Sequence, residues 1–322
     1  MSTFTWRDAE RTIIFGVGRA TEAIALAGSP YRLLTTERAQ ATCPEITARA
    51  TSVHHVAPGA VDDAARAVEA ELPQEPLPLI ALGGGRVVDS AKAIGSAHGL
   101  KVIAVPTTLS SAEMTPYGRS IGGPPVRPQG VVIDPSLAAS QPHAELAASS
   151  ANMLAHAIEG AITTEASPVP SLAGREAQRL IDSAWFTPDE EIANSARGQL
   201  ALASMLAGYA IDSAGYGLSH VLSQTLRAIT GIPHNAANAI VLPHAILALE
   251  ERSPGRVDPD GSLAALAERL RTAAGSPTVR GFGITDDQLQ TCARAAAQRE
   301  DLDSTPPRAS EEELLALYRA MD

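Results

Sequence analysis

Three consecutive glycines, Gly83-Gly84-Gly85, stand between the apolar run Leu79-Ile80-Ala81-Leu82 and a helical pattern holding Asp89 and Lys92. Glycines at a strand-to-helix junction let a backbone come close to a diphosphate. The helix start then offers free N–H groups and a positive dipole end to that anion. A tight turn needing positive φ would use glycine too, but three in a row exceed what one turn needs. Gly16-Val17-Gly18 is a weaker version of the same signal, lacking the third glycine of the dinucleotide fingerprint. A second run, Pro106-Thr107-Thr108-Leu109-Ser110-Ser111-Ala112-Glu113-Met114-Thr115-Pro116, crowds hydroxyls after a strand. Such a loop sits where open α/β sheets place ligands, and its hydroxyls can meet ribose, phosphate or a carboxamide. The same hydroxyls can also serve as helix caps and turn bonds.

The third set lies on helical patterns. Asn152 and His156 are four residues apart and share a face. His220 precedes Gly231-Ile232-Pro233-His234, and His244 follows in Leu242-Pro243-His244. A lone buried histidine is usually a satisfied core residue. Several among apolar helices, one beside an asparagine, point to a site, because polar groups there cost free energy unless paired.

These residues must be held by two kinds of scaffold. Up to about residue 140, strands (Thr12–Phe15, Tyr31–Thr35, Leu77–Leu82, Lys101–Val105, Val131–Ile133) alternate with helices (Arg19 to Ala27, Val61–Leu72, Arg86 to Ala97), which predicts a parallel sheet with helical crossovers. From Pro142 onward the pattern is helical: Ala144–Thr163, Val169–Ala184, Pro188–Ser213, Leu218–Thr230, Ala236–Glu250, Leu263–Ala274, Thr285–Arg299 and Glu311–Met321. The expected organisation is an α/β domain over 1–140 and an all-helical domain over 141–322. Apolar residues are 45% of the 322 but aromatics only 3%, so Ala, Leu, Ile and Val must build the core. The formal charge of −11 repels phosphate backbones and argues against nucleic acid. Two distant cysteines, Cys43 and Cys292, suit a reducing compartment. No signal-peptide core and no long apolar span is present. A soluble, cytoplasmic enzyme with no membrane partner is expected.

In order and spacing these motifs resemble the iron-containing alcohol dehydrogenase and glycerol dehydrogenase family, closest to its maleylacetate reductase branch. The carriers are Gly83-Gly84-Gly85 with Asp89 and Lys92, Pro106-Thr107-Thr108 with Glu113-Met114-Thr115-Pro116, Asn152 with His156-Ala157-Ile158-Glu159, His220 with Pro233-His234, Leu242-Pro243-His244, and Pro277 to Gly283. The resemblance implies a Rossmann-like dinucleotide-binding domain followed by a helical domain, in a dehydroquinate synthase-like architecture with a substrate cleft between them, and a homodimer. It assigns NAD(H) or NADP(H) to Gly83, Gly84, Gly85, Asp89, Thr107, Thr108 and Ser111. Glu37, after the second strand, inclines the choice to NAD(H). Catalysis falls to His156, His220 and His234, and substrate oxygens to Asn152, Gln224 and Arg280.

The departures from that pattern concentrate on the expected site. Metal-binding members carry Asp where Asn152 stands, and a neutral amide is a poor substitute on a divalent cation. Maleylacetate reductases share the Asn and work without metal. Gln224 replaces a second histidine, Arg86 and Ala112 replace serines, and the stretch from Ser120 to Pro128 is shortened and lacks a Lys often found there. The helical part after Glu250 is shortened too. The expected activity is a metal-independent, nicotinamide-dependent reduction of a small oxo acid, carbonyl or enone. The alternatives are a non-redox cyclase or lyase on the same scaffold, and a metal-dependent alcohol dehydrogenase using the three histidines.

Overall fold

The computed structural model describes residues 3–73, 75–117, 121–186 and 194–322. The chain divides into two units, Met1–Gln141 with Ala193–Met205, and Pro142–Ile192 with Leu206–Asp322. The first contains β1 (Phe4–Asp8), β2 (Arg11–Phe15), α1 (Glu22–Ala27), β3 (Arg32–Thr35), α2 (Glu37–Gln40), α3 (Pro44–Ala48), β4 (Ser52–His55), α4 (Val61–Glu71), β5 (Leu79–Gly83), α5 (Gly85–His98), β6 (Val102–Pro106), β7 (Gly130–Ile133) and α6 (Pro135–Ala138). The strands form one sheet in the order β1-β2-β7-β6-β5-β3-β4. β1 is antiparallel to β2, and the remaining pairs are parallel.

β5 and β6 are buried along their whole length, as continuous apolar strands are when helices cover both sheet faces. Successive side chains go to opposite faces. Ile80, Leu82, Ile103 and Val105 pack with Ala23, Ala27 and Ile46 on one side. Leu79, Ala81, Val102 and Ala104 pack with Val68, Val87, Val88 and Ile94 on the other. Two strands gave no apolar signal. β1 is a half-exposed edge strand carrying Arg7 and Asp8, held by Phe4 stacked on Phe15 at 5.1 Å. β4 is the opposite edge, Ser52-Val53-His54-His55, with alternate residues exposed.

The second unit is helical, with α7 (His143–Ile162), α8 (Pro168–Ala184), the later part of α9 (Asn194–Ala214), α10 (Leu218–Thr230), α11 (His234–Arg252), α12 (Ser262–Ala273), α13 (Asp286–Ala297) and α14 (Glu311–Ala320). The early part of α9 groups with the sheet rather than the helical unit, unlike the expectation for Pro188–Ser213. Ser111 Oγ donates to the Ser204 carbonyl at 2.9 Å, and Arg197 Nη1 donates to the Ala139 and Gln141 carbonyls at 2.5 and 2.9 Å. Pro188 and Ser120 lie outside the described residues. Among those described, no helix is long and apolar enough to cross a membrane.

Candidate active site

The chain winds from β3 outward to β4 on one side, and from β5 to β6 and β7 on the other. The border between β3 and β5 is therefore the point of reversal, where open α/β sheets leave a ligand crevice beyond the strand ends. Thr35 ends β3 there, and its Oγ1 donates to the Leu82 carbonyl at 2.8 Å. Gly83 ends β5. None of Gly83, Gly84 and Gly85 has a positive φ, so turn geometry does not explain them; space does. A Cβ on Gly83 would lie 2.6 Å from Val87 Cγ2, on Gly84 3.0 Å from Thr108 Cγ2, and on Gly85 2.9 Å from Ser110 Oγ. Gly84 opens α5, and no side chain caps that helix. The Val87 and Val88 N–H groups return to the Gly84 carbonyl at 2.9 and 3.2 Å, while those of Gly85 and Arg86 precede any helical acceptor. An uncapped helix start in a wall free of Cβ atoms fits a diphosphate.

The neighbouring loop divides its labour. Thr108 lies against Gly84, and Thr107 donates its N–H to the Gly83 carbonyl at 2.9 Å. Ser111 is fully buried in the left-handed region with φ 59°, and its hydroxyl is engaged by Ser204. Its hydroxyl is thus engaged within the fold, where the resemblance implied a cofactor contact. Asp89 also departs from expectation, because its carboxylate faces Lys92 Nζ at 2.6 Å. The wholly buried Lys92 donates as well to the Ala112 and Thr115 carbonyls, both at 2.7 Å. Asp89 and Lys92 thus brace the loop against α5. Burial pushes the Asp89 carboxyl up and Lys92 opposes it. Next to them Glu113 is 1% exposed, and its Oε2 has no hydrogen-bond partner among the described residues. Burial pushes its carboxyl up to about 7 against the pull of Lys92.

The second unit gathers the histidines. Asn152, His156 and Glu159 share one face of α7, and all three are buried. His220 lies in the first turn of α10 and is buried. Its Nδ1 is hydrogen-bonded to Glu159 Oε2. The His156 and His220 rings stack at 4.8 Å, with Tyr216 4.5 Å from His220 and 6.3 Å from His156. His234 begins α11, and Asn238 sits one turn later. Asn238 Nδ2 donates to Asn152 Oδ1 at 2.9 Å and lies 3.2 Å from His234 Nε2. His156 Nδ1 and His220 Nε2 are buried without hydrogen-bond partners among the described residues. Burial, with the charges of His220 and His234, pushes the His156 imidazole well down. Desolvation, then Arg227 and His220, pushes His234 down as well, although the residue as a whole is exposed.

Among the described residues no group of three His, Cys, Asp or Glu side chains is placed to hold a metal ion. Where a carboxylate would serve, Asn152 has its oxygen occupied by Asn238 and is left with N–H donors, which suit an anion. The nearby carboxylate, Glu159, already accepts from the Gly217, Ser219 and His220 backbone N–H groups at 3.0, 2.6 and 3.4 Å.

Arg280 is not brought to this cluster. Its side chain is 82% exposed and paired with Asp322 near the chain end. Gln224 lies one turn beyond His220 and is half-buried. Three residues gained importance only in three dimensions. Glu159 continues the 152–156 face by three residues, and Asn238 follows His234 by four, so helical spacing could have flagged both. Tyr216 reaches the rings from the turn before α10, and its position in the sequence carries no such signal.

A parallel sheet with an open glycine-walled helix start, followed by a helical unit lined with imidazoles and amides, defines a two-unit oxidoreductase architecture of the dehydrogenase kind. Residues 15–142 match the family described as "Iron-containing alcohol dehydrogenase", and residues 146–321 match "Fe-containing alcohol dehydrogenase family, C-terminal". The chain belongs to the iron-containing alcohol dehydrogenase family, on its maleylacetate reductase branch, and is an enzyme of that oxidoreductase family. It is 33% identical over 255 residues to a maleylacetate reductase of Sphingobium indicum, covering 73% of this chain and 72% of that one. It is 30% identical over 291 residues to maleylacetate reductase 2 of Cupriavidus pinatubonensis, covering 84% and 79%. Its fold matches sulfoacetaldehyde reductase from Bifidobacterium kashiwanohense, a structure in complex with NAD+, with TM-score 0.84, 23% identity and 99% of each chain covered.

Proposed function

We propose that this enzyme is a metal-independent, NAD(P)H-dependent reductase of a small oxo acid, carbonyl or enone. The maleylacetate reductases among its relatives support the reductase part. The NAD+ complex of a protein sharing the fold, and the glycine-walled start of α5, support the nicotinamide part. Glu37, exposed directly after β3 at the crevice border, favours NAD(H), since a carboxylate there repels a 2′-phosphate. The observation that carries metal independence is the Asn238-to-Asn152 hydrogen bond at 2.9 Å, which occupies the Asn152 oxygen and leaves its amide N–H groups as donors.

When bound, the reduced dinucleotide supplies a hydride to the substrate carbon. The protein must then manage the negative charge that develops on oxygen. The Asn152 N–H donors stabilise it, as an amide does in an oxyanion hole. His220, protonated on Nε2, delivers the proton that completes the alcohol or enol. Burial holds His156 and His234 toward their neutral forms. The test is to purify the enzyme, measure iron and zinc by elemental analysis, and follow NADH oxidation with small oxo acids and enones before and after chelation. Substoichiometric metal with chelator-resistant oxidation is expected. One ion per chain, lost together with activity on chelation, would refute metal independence.

A further inference from the structure

We propose that Glu159 is a positioning residue that fixes the tautomer of His220 and, with the same carboxylate, caps the helix that carries it. The inference rests on the reductase reading for its kinetic consequence only. α10 begins after Gly217, whose missing side chain leaves the helix without a local cap. A Cβ at Gly217 would lie 2.6 Å from Thr305 Cγ2 and 3.3 Å from Glu159 Oε1, so glycine is required there by the remote groups that replace the cap. Those groups satisfy the helix start completely. Gly217 N–H donates to Glu159 Oε2, Leu218 N–H to Thr305 Oγ1 at 3.2 Å, and the Ser219 and His220 N–H groups to Glu159 Oε1.

A wholly buried carboxylate surrounded by N–H donors stays an acceptor. His220 Nδ1, lying against Oε2, must therefore be the protonated nitrogen of the neutral ring. Nε2 is left with the lone pair and no partner among the described residues, and becomes the one atom through which His220 exchanges a proton. In the reducing direction Nε2–H gives its proton to the substrate oxygen as the electron pair arrives there, and the ring returns to neutral with Nδ1–H still on Glu159. Backbone and side chain are thus engaged by one carboxylate, and turning the imidazole away would give up its Nδ1 contact with Glu159 Oε2.

Glutamine at 159 breaks this arrangement in either orientation. Its NH2 must replace Oε2, which forces Nδ1 to accept and puts the proton on Nε2, or replace Oε1, which faces it against the Ser219 and His220 N–H groups. We expect Glu159→Gln to lower turnover by about 10²- to 10⁴-fold while the dissociation constant for NADH stays within about threefold. Glu159→Asp, which restores the carboxylate one methylene shorter, should regain at least tenfold of that loss. The tautomer is read independently on wild type by 15N NMR of histidine-labelled enzyme, with His220 assigned by its absence in His220→Ala. Protonated Nδ1 and bare Nε2 are expected. A neutral His220 with its proton on Nε2 overturns the proposal, as does a folded Glu159→Gln enzyme that turns over like wild type, or equal losses in the Asp and Gln variants. Should wild type oxidise no NADH with any substrate, the reductase reading falls while the 15N measurement still decides the role of Glu159.

Discussion

Valine at position 84 tests the diphosphate seat most directly, because the structure separates its effect on the ligand from its effect on the fold. Gly84 has φ −76°, so valine meets no backbone strain. Its Cβ would come within 3.0 Å of Thr108 Cγ2 and 3.1 Å of Thr108 Oγ1. That is overpacking against one rotatable side chain, a cost of about 1–3 kcal/mol in a fold of about 5–15 kcal/mol, and the variant should stay folded. On the ligand side the branched chain denies a phosphate oxygen access to the Gly85 and Arg86 N–H groups. Each hydrogen bond to a charged group contributes about 1.5–3 kcal/mol. Losing two removes about 3–6 kcal/mol, or about 10²- to 10⁴-fold in affinity at about 1.4 kcal/mol per tenfold. The assay is a nicotinamide fluorescence titration beside a thermal melt. Thr108→Ala separates the two routes. If affinity returns in the Gly84→Val/Thr108→Ala double variant, displaced Thr108 caused the loss, and if it stays lost, position 84 itself faces the ligand. A folded Gly84→Val enzyme with wild-type NADH affinity would remove the phosphate-seat reading.

His220→Ala should fold with a modest fall in melting temperature, since Glu159 keeps its backbone donors. It should keep dinucleotide affinity within a few-fold and lose about 10²- to 10⁴-fold in turnover. His244→Ala, in a half-buried position apart from the stacked rings, should turn over like wild type; comparable losses in both would show the histidines act only through folding. Arg280→Ala should leave kcat and KM unchanged, because that side chain is 82% exposed and paired with Asp322; a rise in KM for substrate would restore its expected role. Glu113 gives a pH signature. Its carboxyl is raised from 4.5 to about 7, so its contribution to stability is present below about pH 4.5 and is lost as pH rises through about 7. Glu113→Gln should therefore gain on wild type by about 3 kcal/mol between pH 5 and pH 8 in chemical denaturation, and a pH-independent difference would refute it.

The sheet was legible where burial is two-sided. β5 and β6 read as unbroken apolar runs because helices cover both faces, and Gly83 marked the end of β5. The edge strands β1 and β4 were illegible for the opposite reason, since one-sided, half-exposed strands carry polar residues at most positions. At the site, helical spacing carried Asn152 and His156, and the histidine types themselves carried His220 and His234. What it could not carry was the partner of each polar atom. Ser111 looks available in sequence, yet Ser204 engages it, because a hydrogen bond between residues 93 apart leaves no local pattern; Asp89 pairs with Lys92 one turn on, a spacing that was visible in sequence. Arg280 is a substrate-grip expectation drawn from the family motif, and neither its exposure nor its pairing with Asp322 leaves a signal in local spacing.

Two buried glutamates show what decides the difference between a brace and a liability in this chain. Glu113 and Glu159 are 1% and 0% exposed, so desolvation acts strongly on both. Glu159 accepts from three backbone N–H groups on its two oxygens, all from a helix start whose dipole favours an anion. Glu113 has a Lys92 charge nearby but an oxygen with no partner among the described residues, and burial moves its proton affinity to about 7. For Glu113, charge proximity alone did not compensate for burial. The same rule explains the polar cluster as a whole. Asn152, Asn238 and His234 are linked by hydrogen bonds or close polar contacts that require no net charge. The exceptions among the described residues of this cluster are His156 Nδ1 and His220 Nε2, buried without partners, and unsatisfied buried atoms cost stability that purely structural histidines would have no reason to retain.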